Sequence, residues 1–503
     1  MLVLLSRFPL LVNLSLTAAV AMLGPALHAV WLRDFDVAAA FLGSAFLWAT
    51  LLVIVGLATS APRTQPPPPR QVFLLLVAYG VLPVILATPV IQVVPSITFA
   101  QAYFEMLSCL TTTGATVLPE ASGVPDPLHL WRGFVAWSGG LMILVTVVGV
   151  LAPMQMGGFE VEHASGGIAR DEQNLRSRGA ENTRARLTRH LRRILPTYTI
   201  LTLILTLGLL IMGDRALVGL IHAMSIISTS GITPLDSFSD AASGRAGEAL
   251  MFLFLIIVIT RRTTSAPRYV RPREILDPEM QLALIAVAGV TSLLFFRHFL
   301  GAIEVDGQEN FSAAFQALWG SLFSILSFLT TTGFESGDWS AMRNWSGLGT
   351  PGIILLSLCI LGGGIATTTG GIKLLRVYAL YKHGVREMQR LIHPSSVGGA
   401  GITARQIRRQ GAQIAWVFLM LFTLAFSLSM LVLTALGQGF EEALVLSVAA
   451  LTSTGPAVSL LDESLGYAAL SGAELGVLSV VMVFGRLELL VLISVLNPSY
   501  WRG

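Results

Sequence analysis

Ten apolar blocks constrain this sequence more than any other feature. They cover residues 9–32, 37–59, 72–94, 134–154, 198–212, 251–259, 282–300, 352–361, 414–436 and 477–495. Most approach the roughly 20 residues that cross a hydrocarbon core as a helix. Charged residues make up only 12% of the 503, against about a quarter in soluble domains, and they are missing in long runs. That excludes a soluble enzyme and predicts an all-α integral membrane protein. The first block lacks a small-residue cleavage site after it and reads as a retained span. Cys109 and Cys359 each lie in an apolar run and read as buried thiols rather than a disulfide.

The remaining charges alternate in sign along the chain. Arg170, Arg176, Arg178, Arg184, Arg186, Arg189, Arg192 and Arg193 form one basic cluster. Arg261, Arg262, Arg268, Arg271 and Arg273 form a second, and a third runs from Lys373 through Arg376, Lys382, Arg386, Arg390 and Arg405 to Arg408 and Arg409. Acidic segments fall between them, at Glu120 and Asp126, Asp236 and Asp240, Glu304 to Glu309, and Asp462 and Glu463. By the positive-inside rule the basic loops face the cytoplasm and the acidic ones the exterior. The arginines therefore read as orientation signals, with no nucleic-acid partner.

One tetrapeptide pattern, three hydroxyl residues and a glycine, occurs four times in the same setting. The copies are Thr111-Thr112-Thr113-Gly114, Ser228-Thr229-Ser230-Gly231, Thr330-Thr331-Thr332-Gly333 and Thr452-Ser453-Thr454-Gly455. Four residues before each glycine stands a bulky aliphatic (Leu110, Ile227, Leu329, Leu451) and six before it a small residue (Ser108, Ser225, Ser327, Ala449). A fifth run, Thr367-Thr368-Thr369-Gly370, lacks both neighbours. Each of the four follows a long apolar span and a half-length one, such as 98–110 or 217–227, and precedes an acidic turn and another long span. Half-length segments suit re-entrant helices that enter and leave on one face. The chain thus divides into two N-terminal spans with a Pro-rich linker (1–71) and four span–re-entrant loop–span repeats (72–160, 161–262, 263–385 and 386–503) around one pore.

Such a repeat suits a cation. Backbone that leaves helical geometry at membrane depth must line water or be buried in protein. Hydroxyl residues ending in glycine present oxygen ligands densely, and four loops around one axis would surround an ion with carbonyl rings. Glycine tolerates φ > 0 and lets successive carbonyls turn inward. The candidate ion ligands are Thr112, Thr113, Gly114, Thr229, Ser230, Gly231, Thr331, Thr332, Gly333, Ser453, Thr454 and Gly455. The segment 351–380 is too glycine-rich for one regular helix, and Gly362, Gly363, Gly364, Gly370 and Gly371 would break it beside a cavity. Arg486 stands near the middle of the last span, where a charge is a functional candidate by default. Glu105 and Glu488 are its possible partners, although Glu488, two residues on, does not share its helix face. His222 reads as a satisfied structural group.

Several of these stretches resemble the TrkH/TrkG/KtrB superfamily of potassium transporters over nearly the whole length, and the two leading spans make the chain TrkH-like. Thr111 to Val117 resembles the family's first filter, with Phe104-Glu105 before it and Trp131-Arg132, Trp137 and Gly139-Gly140 after it. Gly362 to Lys373 is similar to the family's glycine-rich gate stretch, and Gly485-Arg486-Leu487-Glu488 to its closing motif. There are departures: 259–264 lacks the usual glycine-rich run, Gly364 and Ala366 replace a Cys and a Gly, and Ser453-Thr454 precede Gly455-Pro456 where relatives often carry Asn-Leu.

The resemblance implies potassium uptake across a bacterial inner membrane, with K+ held in the filter, no organic cofactor and no enzymatic chemistry. It implies a gate at Gly362, Gly363, Gly364, Thr367, Thr368, Gly370, Gly371 and Lys373, a permeation barrier at Arg486, a homodimer, and a cytosolic TrkA-like nucleotide-binding ring as partner. A sodium-coupled or sodium-selective transporter of the same fold is the alternative. Gly114, which sodium-preferring relatives replace with Ser, favours potassium, and no His or Lys deep in a span offers the base an intramembrane hydrolase needs.

Overall fold

The structure is a computed structural model that describes residues 8–60, 68–118, 123–151, 183–259, 278–301, 310–348, 350–393, 409–460 and 466–489. Among them every regular element is helical. Arg170, Arg176, Arg178, the whole second basic cluster, Arg405 and Arg408, the acidic positions 120, 304–309, 462 and 463, and the altered stretch after residue 259 lie outside the described residues.

Two short helices, α1 (Leu10–Ala21) and α2 (Leu23–Trp31), follow one another across Met22 and together make the first span. Helix α3 (Phe35–Ala58) returns, started by the Asp34 carboxylate, which accepts from the Val37 amide. The first repeat is α4 (Pro68–Val93), the short α5 (Phe99–Leu110) and α6 (Asp126–Thr146), which continues through one wider π turn at Val147–Leu151. The second is α7 (Thr183–Ile211), α8 (Ala216–Ser228) and α9 (Gly244–Val258). In the third, α10 (Pro278–Gly301) and α11 (Asn310–Leu329) precede an extra short helix α12 (Trp339–Ser346) and α13 (Gly352–Leu361). Residues 362–373 then leave helical geometry before α14 (Leu374–Ile392), so the glycine-rich segment breaks where its sequence predicts. The fourth repeat is α15 (Arg409–Ala435), α16 (Phe440–Thr452) and α17 (Gly472–Leu487).

Among the described residues eight helical segments are long and apolar enough to span a membrane, and their outward faces keep large apolar side chains exposed. Phe46 is 76% exposed and Ile211 86%; a water-soluble surface would not carry so many. The chain is a multi-pass membrane protein. One expectation needs correction. In the third repeat the helix before the hydroxyl turn has 20 residues rather than half a span. No proline interrupts its apolar run, so the helix extends outward to Phe311, which is 90% exposed. Cys109 and Cys359 are free and fully buried, as expected.

Candidate functional site: four hydroxyl–glycine turns and the loop against them

The four turns share one backbone construction. At each helix end the second hydroxyl residue is left-handed, with φ of 54° at Thr112, 53° at Thr229, 57° at Thr331 and 56° at Ser453. The amide of the third hydroxyl residue then reaches back five residues, Thr113 to Ser108 O (2.8 Å), Ser230 to Ser225 O (3.0 Å), Thr332 to Ser327 O (2.9 Å) and Thr454 to Ala449 O (2.8 Å). The left-handed residue donates three back, to Cys109, Ile226, Phe328 and Ala450. This pair of bonds is the Schellman helix stop, usually closed by glycine. The small residue six before each glycine is the acceptor of the long bond, which gives that sequence feature its reason. Side chains add a second stitch. The first and third hydroxyls bond each other at 2.8, 3.2, 3.0 and 3.2 Å in repeats one to four.

The positive φ expected of the glycines holds at three of the four. Only Gly114, Gly231 and Gly333 take positive φ, and Gly455 does not. What all four share is a neighbour. A Cβ on Gly114 would run into the Ser230 carbonyl, one on Gly231 into Thr332 O, one on Gly333 into Thr454 and Pro456, and one on Gly455 into the Ala115 backbone. The Gly455 amide also donates to Thr113 O at 2.6 Å. The contacts therefore run from repeat one to two, three, four and back to one. At Gly114, Gly231 and Gly455 glycine is required because the turn touches the next at backbone distance; at Gly333 the close neighbours are the Thr454 and Pro456 side chains.

Behind the turns, three of the preceding helices carry a polar residue nine positions before the glycine (114 − 105, 231 − 222, 333 − 324). Glu105, fully buried, accepts from the Val117 amide at 2.9 Å and pairs with Arg132 at 2.8 Å. The His222 ring bonds Thr233 Oγ1 at 3.0 Å, and Ser324 Oγ accepts from the Ser336 amide at 3.1 Å. The fourth helix has Leu446 there, and Tyr467 instead donates to Gly455 O at 3.1 Å. Glu248 on α9 holds the stretch after the third glycine by accepting from Ser336 Oγ (2.7 Å), the Gly337 amide (2.8 Å) and Trp319 Nε1 (2.7 Å). These anchors escape a reading of the tetrapeptides alone. A search for polar residues at one fixed offset would find the first three; Glu248 comes from another repeat and has no such signal.

Residues 362–373 fold against the inner ends of the turns. Thr229 Oγ1 donates to Thr368 Oγ1 at 3.1 Å, and the Gly370 amide donates to Thr331 Oγ1 at 2.8 Å. A Cβ on Gly370 would overlap Thr452 O. The loop thus engages the left-handed hydroxyls of repeats two and three. Those of repeats one and four, Thr112 Oγ1 and Ser453 Oγ, are buried without a hydrogen-bond partner among the described residues. On its other flank the loop is fixed by Gly364 N to Ile259 O (3.1 Å) and Ile365 N to Glu279 Oε1 (3.0 Å).

Arg486 is 5% exposed and donates from Nη1 to the Thr368 carbonyl. Neither expected carboxylate is its partner: Glu105 belongs to Arg132, and Glu488 takes Arg376 at 2.6 Å. The helix accounts for this. Glu488 ends α17 with φ 66°, which carries its side chain away from that of Arg486. Gly485 abuts the Leu451 carbonyl as Gly139 abuts that of Leu110, so Arg486 occupies in repeat four the place of Gly140 in repeat one. Among the described residues no group of three or more His, Cys, Asp or Glu could hold a metal ion. The oxygen-rich surface is that of the turns themselves, suited to a weakly held alkali cation.

Comparison with known proteins agrees with this architecture. Residues 274–500 match the family model described as TrkH, cation transport protein. A Trk system potassium uptake protein TrkH from Salmonella typhimurium is 28% identical over 456 residues, covering 86% of each chain. TrkH from Escherichia coli is 27% identical over 453 residues, again 86% of each chain, as is TrkG from the same organism. The crystal structure of the potassium transporter TrkH from Vibrio parahaemolyticus superposes with a TM-score of 0.81 at 25% identity, covering 99% of both chains.

Proposed function

Since this chain belongs to the TrkH-like superfamily of cation transport proteins, we propose that it mediates potassium uptake through a pore framed by its four hydroxyl–glycine turns. The observation that carries this reading is the closed circuit of turn-to-turn contacts, in which Gly114, Gly231 and Gly455 meet the next repeat's backbone and Gly333 meets the Thr454 and Pro456 side chains. A circuit of four Schellman turns presents backbone carbonyls and buried hydroxyls in matching positions, and a dehydrated alkali cation needs such oxygens in place of its water shell. The ligands are Thr112, Thr113, Gly114 and their counterparts in the other repeats, carried at the ends of the helices that precede the turns.

The loop 362–373 is the gate. Closed, it ties Thr368 to Thr229 and Gly370 to Thr331 against the turns. Arg486 adds an electrostatic barrier, because a fixed positive charge opposes an approaching cation. By the same family reading the chain works as a homodimer in a bacterial inner membrane, with a cytosolic nucleotide-binding ring moving the gate. Expression in bacteria that lack their own potassium uptake tests the function. Growth on sub-millimolar potassium is expected, and failure to grow with the protein present in the membrane would refute it.

A further inference from the structure

The fifth hydroxyl run, set aside in sequence for its wrong neighbours, copies the side-chain stitch of the four turns. Thr367 Oγ1 and Thr369 Oγ1 bond at 2.7 Å, as the first and third hydroxyls do in every repeat. Thr367 Oγ1 also bonds back three residues to Gly364 O at 2.6 Å, as Thr330 Oγ1 bonds Ser327 O at 2.9 Å. The backbone differs, since the left-handed residue is Ala366 rather than the second hydroxyl. The ligands differ more. The carbonyls of its second and third residues face cations that belong to the chain. Arg486 Nη1 donates to Thr368 O, and Lys373 Nζ donates to Thr369 O and, at 3.3 Å, to Thr369 Oγ1.

We infer that the gate contains a fifth cation site, built like the transport turns, in which the ammonium of Lys373 is a tethered occupant that holds the loop closed. This rests on the reading of 362–373 as the gate. The chemistry favours an ammonium. It carries the single charge of an alkali cation, it is compact, and its N–H groups point at oxygen acceptors as a bare cation attracts them. Lys373 is 8% exposed. Its hydrogen bonds go to loop oxygens, Thr369 O and Thr369 Oγ1, while Glu488 pairs with Arg376 at 2.6 Å and Glu279 accepts from the Ile365 amide at 3.0 Å. Lys373 also takes φ 82° at the start of α14, a strained conformation for a lysine that sustained contact with the loop makes tolerable. Opening the gate withdraws the ammonium from Thr369, and a permeating cation competes for the oxygens it leaves. Lys373 is a positioning residue, acting on the ion path through the loop.

The test removes the tether and supplies it from solution. Full-length Lys373→Ala, purified and reconstituted in proteoliposomes, is expected to raise basal rubidium flux at least tenfold. Added n-propylammonium, which matches the side-chain atoms that alanine lacks, should return flux toward the wild-type level in a saturable way, whereas propan-1-ol should not. Lys373→Met keeps side-chain length and should raise flux without amine sensitivity. Flux unchanged in both variants overturns the inference. So does loss of folding in both with rescue by Lys373→Arg, which makes the lysine a strut. Arg486→Gln in the same assay separates the two levels: raised flux there with silent Lys373 variants defeats only the fifth site, while no response from either defeats the gate reading beneath it.

Discussion

At Thr112, Thr229, Thr331 and Ser453 the backbone is left-handed, a conformation that costs a non-glycine residue on the order of 1–2 kcal/mol. Glycine would remove that cost, yet would also remove the hydroxyl that meets the loop or stands free at the inner end of the turn. Four repeats keep the hydroxyl and accept the strain, which is expected where side-chain chemistry matters more than stability. The glycine that follows obeys steric necessity instead. Gly114→Ser places a Cβ against the Ser230 carbonyl and must push the first two turns apart. Sodium permeability relative to potassium is expected to rise severalfold in flux assays on folded protein, and an unchanged ratio would remove these turns from the ion path. Arg486 makes a different contribution. At roughly 7 Å and an effective dielectric of about 20 its repulsion of a cation is on the order of 2 kcal/mol, or about thirtyfold in rate. Arg486→Gln should raise potassium flux by about that factor with selectivity intact, while Arg486→Lys keeps most of the barrier. A fall in thermal stability without any gain in flux would make Arg486 structural.

Short helices hold the turns, and their anchors determine how well the geometry survives. Glu105 joins α5 to both the Val117 amide and Arg132. Because both charges are buried, Glu105→Ala leaves an uncompensated guanidinium, at about 3–5 kcal/mol. A clear drop in melting temperature is expected, and an unchanged one would mean that Arg132 finds another partner. The loop 362–373 is held through backbone hydrogen bonds. Deleting Gly363 to Ala366 removes its bonds to Glu279 and Leu374 and should raise basal rubidium flux; flux equal to wild type would exclude this segment as the gate. At this scale the sequence was informative where periodicity and punctuation act locally. The helix ends at Leu110, Ile227–Ser228, Leu329 and Leu451–Thr452 follow from the hydroxyl–glycine pattern, and the break after Leu361 from three glycines. Partners across the fold were not legible. Arg486 takes a backbone carbonyl of the loop rather than a carboxylate, because Glu488 turns away through one left-handed residue and Glu105 is claimed by an arginine 27 positions along. Pairings of that kind depend on which helices are neighbours, and a single sequence does not carry that information.

Taken whole, the molecule turns one repeated unit into a closed circuit. Its outward helix faces are apolar, its basic segments connect one repeat to the next, and its oxygen-rich turns meet at the centre. The repeats differ where the task differs. The third contributes the loop, the fourth contributes Arg486 where the first has Gly140, and repeats two and three receive the loop's hydrogen bonds. The asymmetry is legible in sequence as departures from the repeat, once the four glycines are aligned. The central claim is that these four turns select potassium. The direct measurement is the reversal potential of purified protein in a planar bilayer, with equal potassium on one side and sodium on the other. A selective path predicts a potential displaced toward the potassium equilibrium value by tens of millivolts, shrinking in Gly114→Ser. A reversal potential at zero, in wild type and variant alike, would contradict the account.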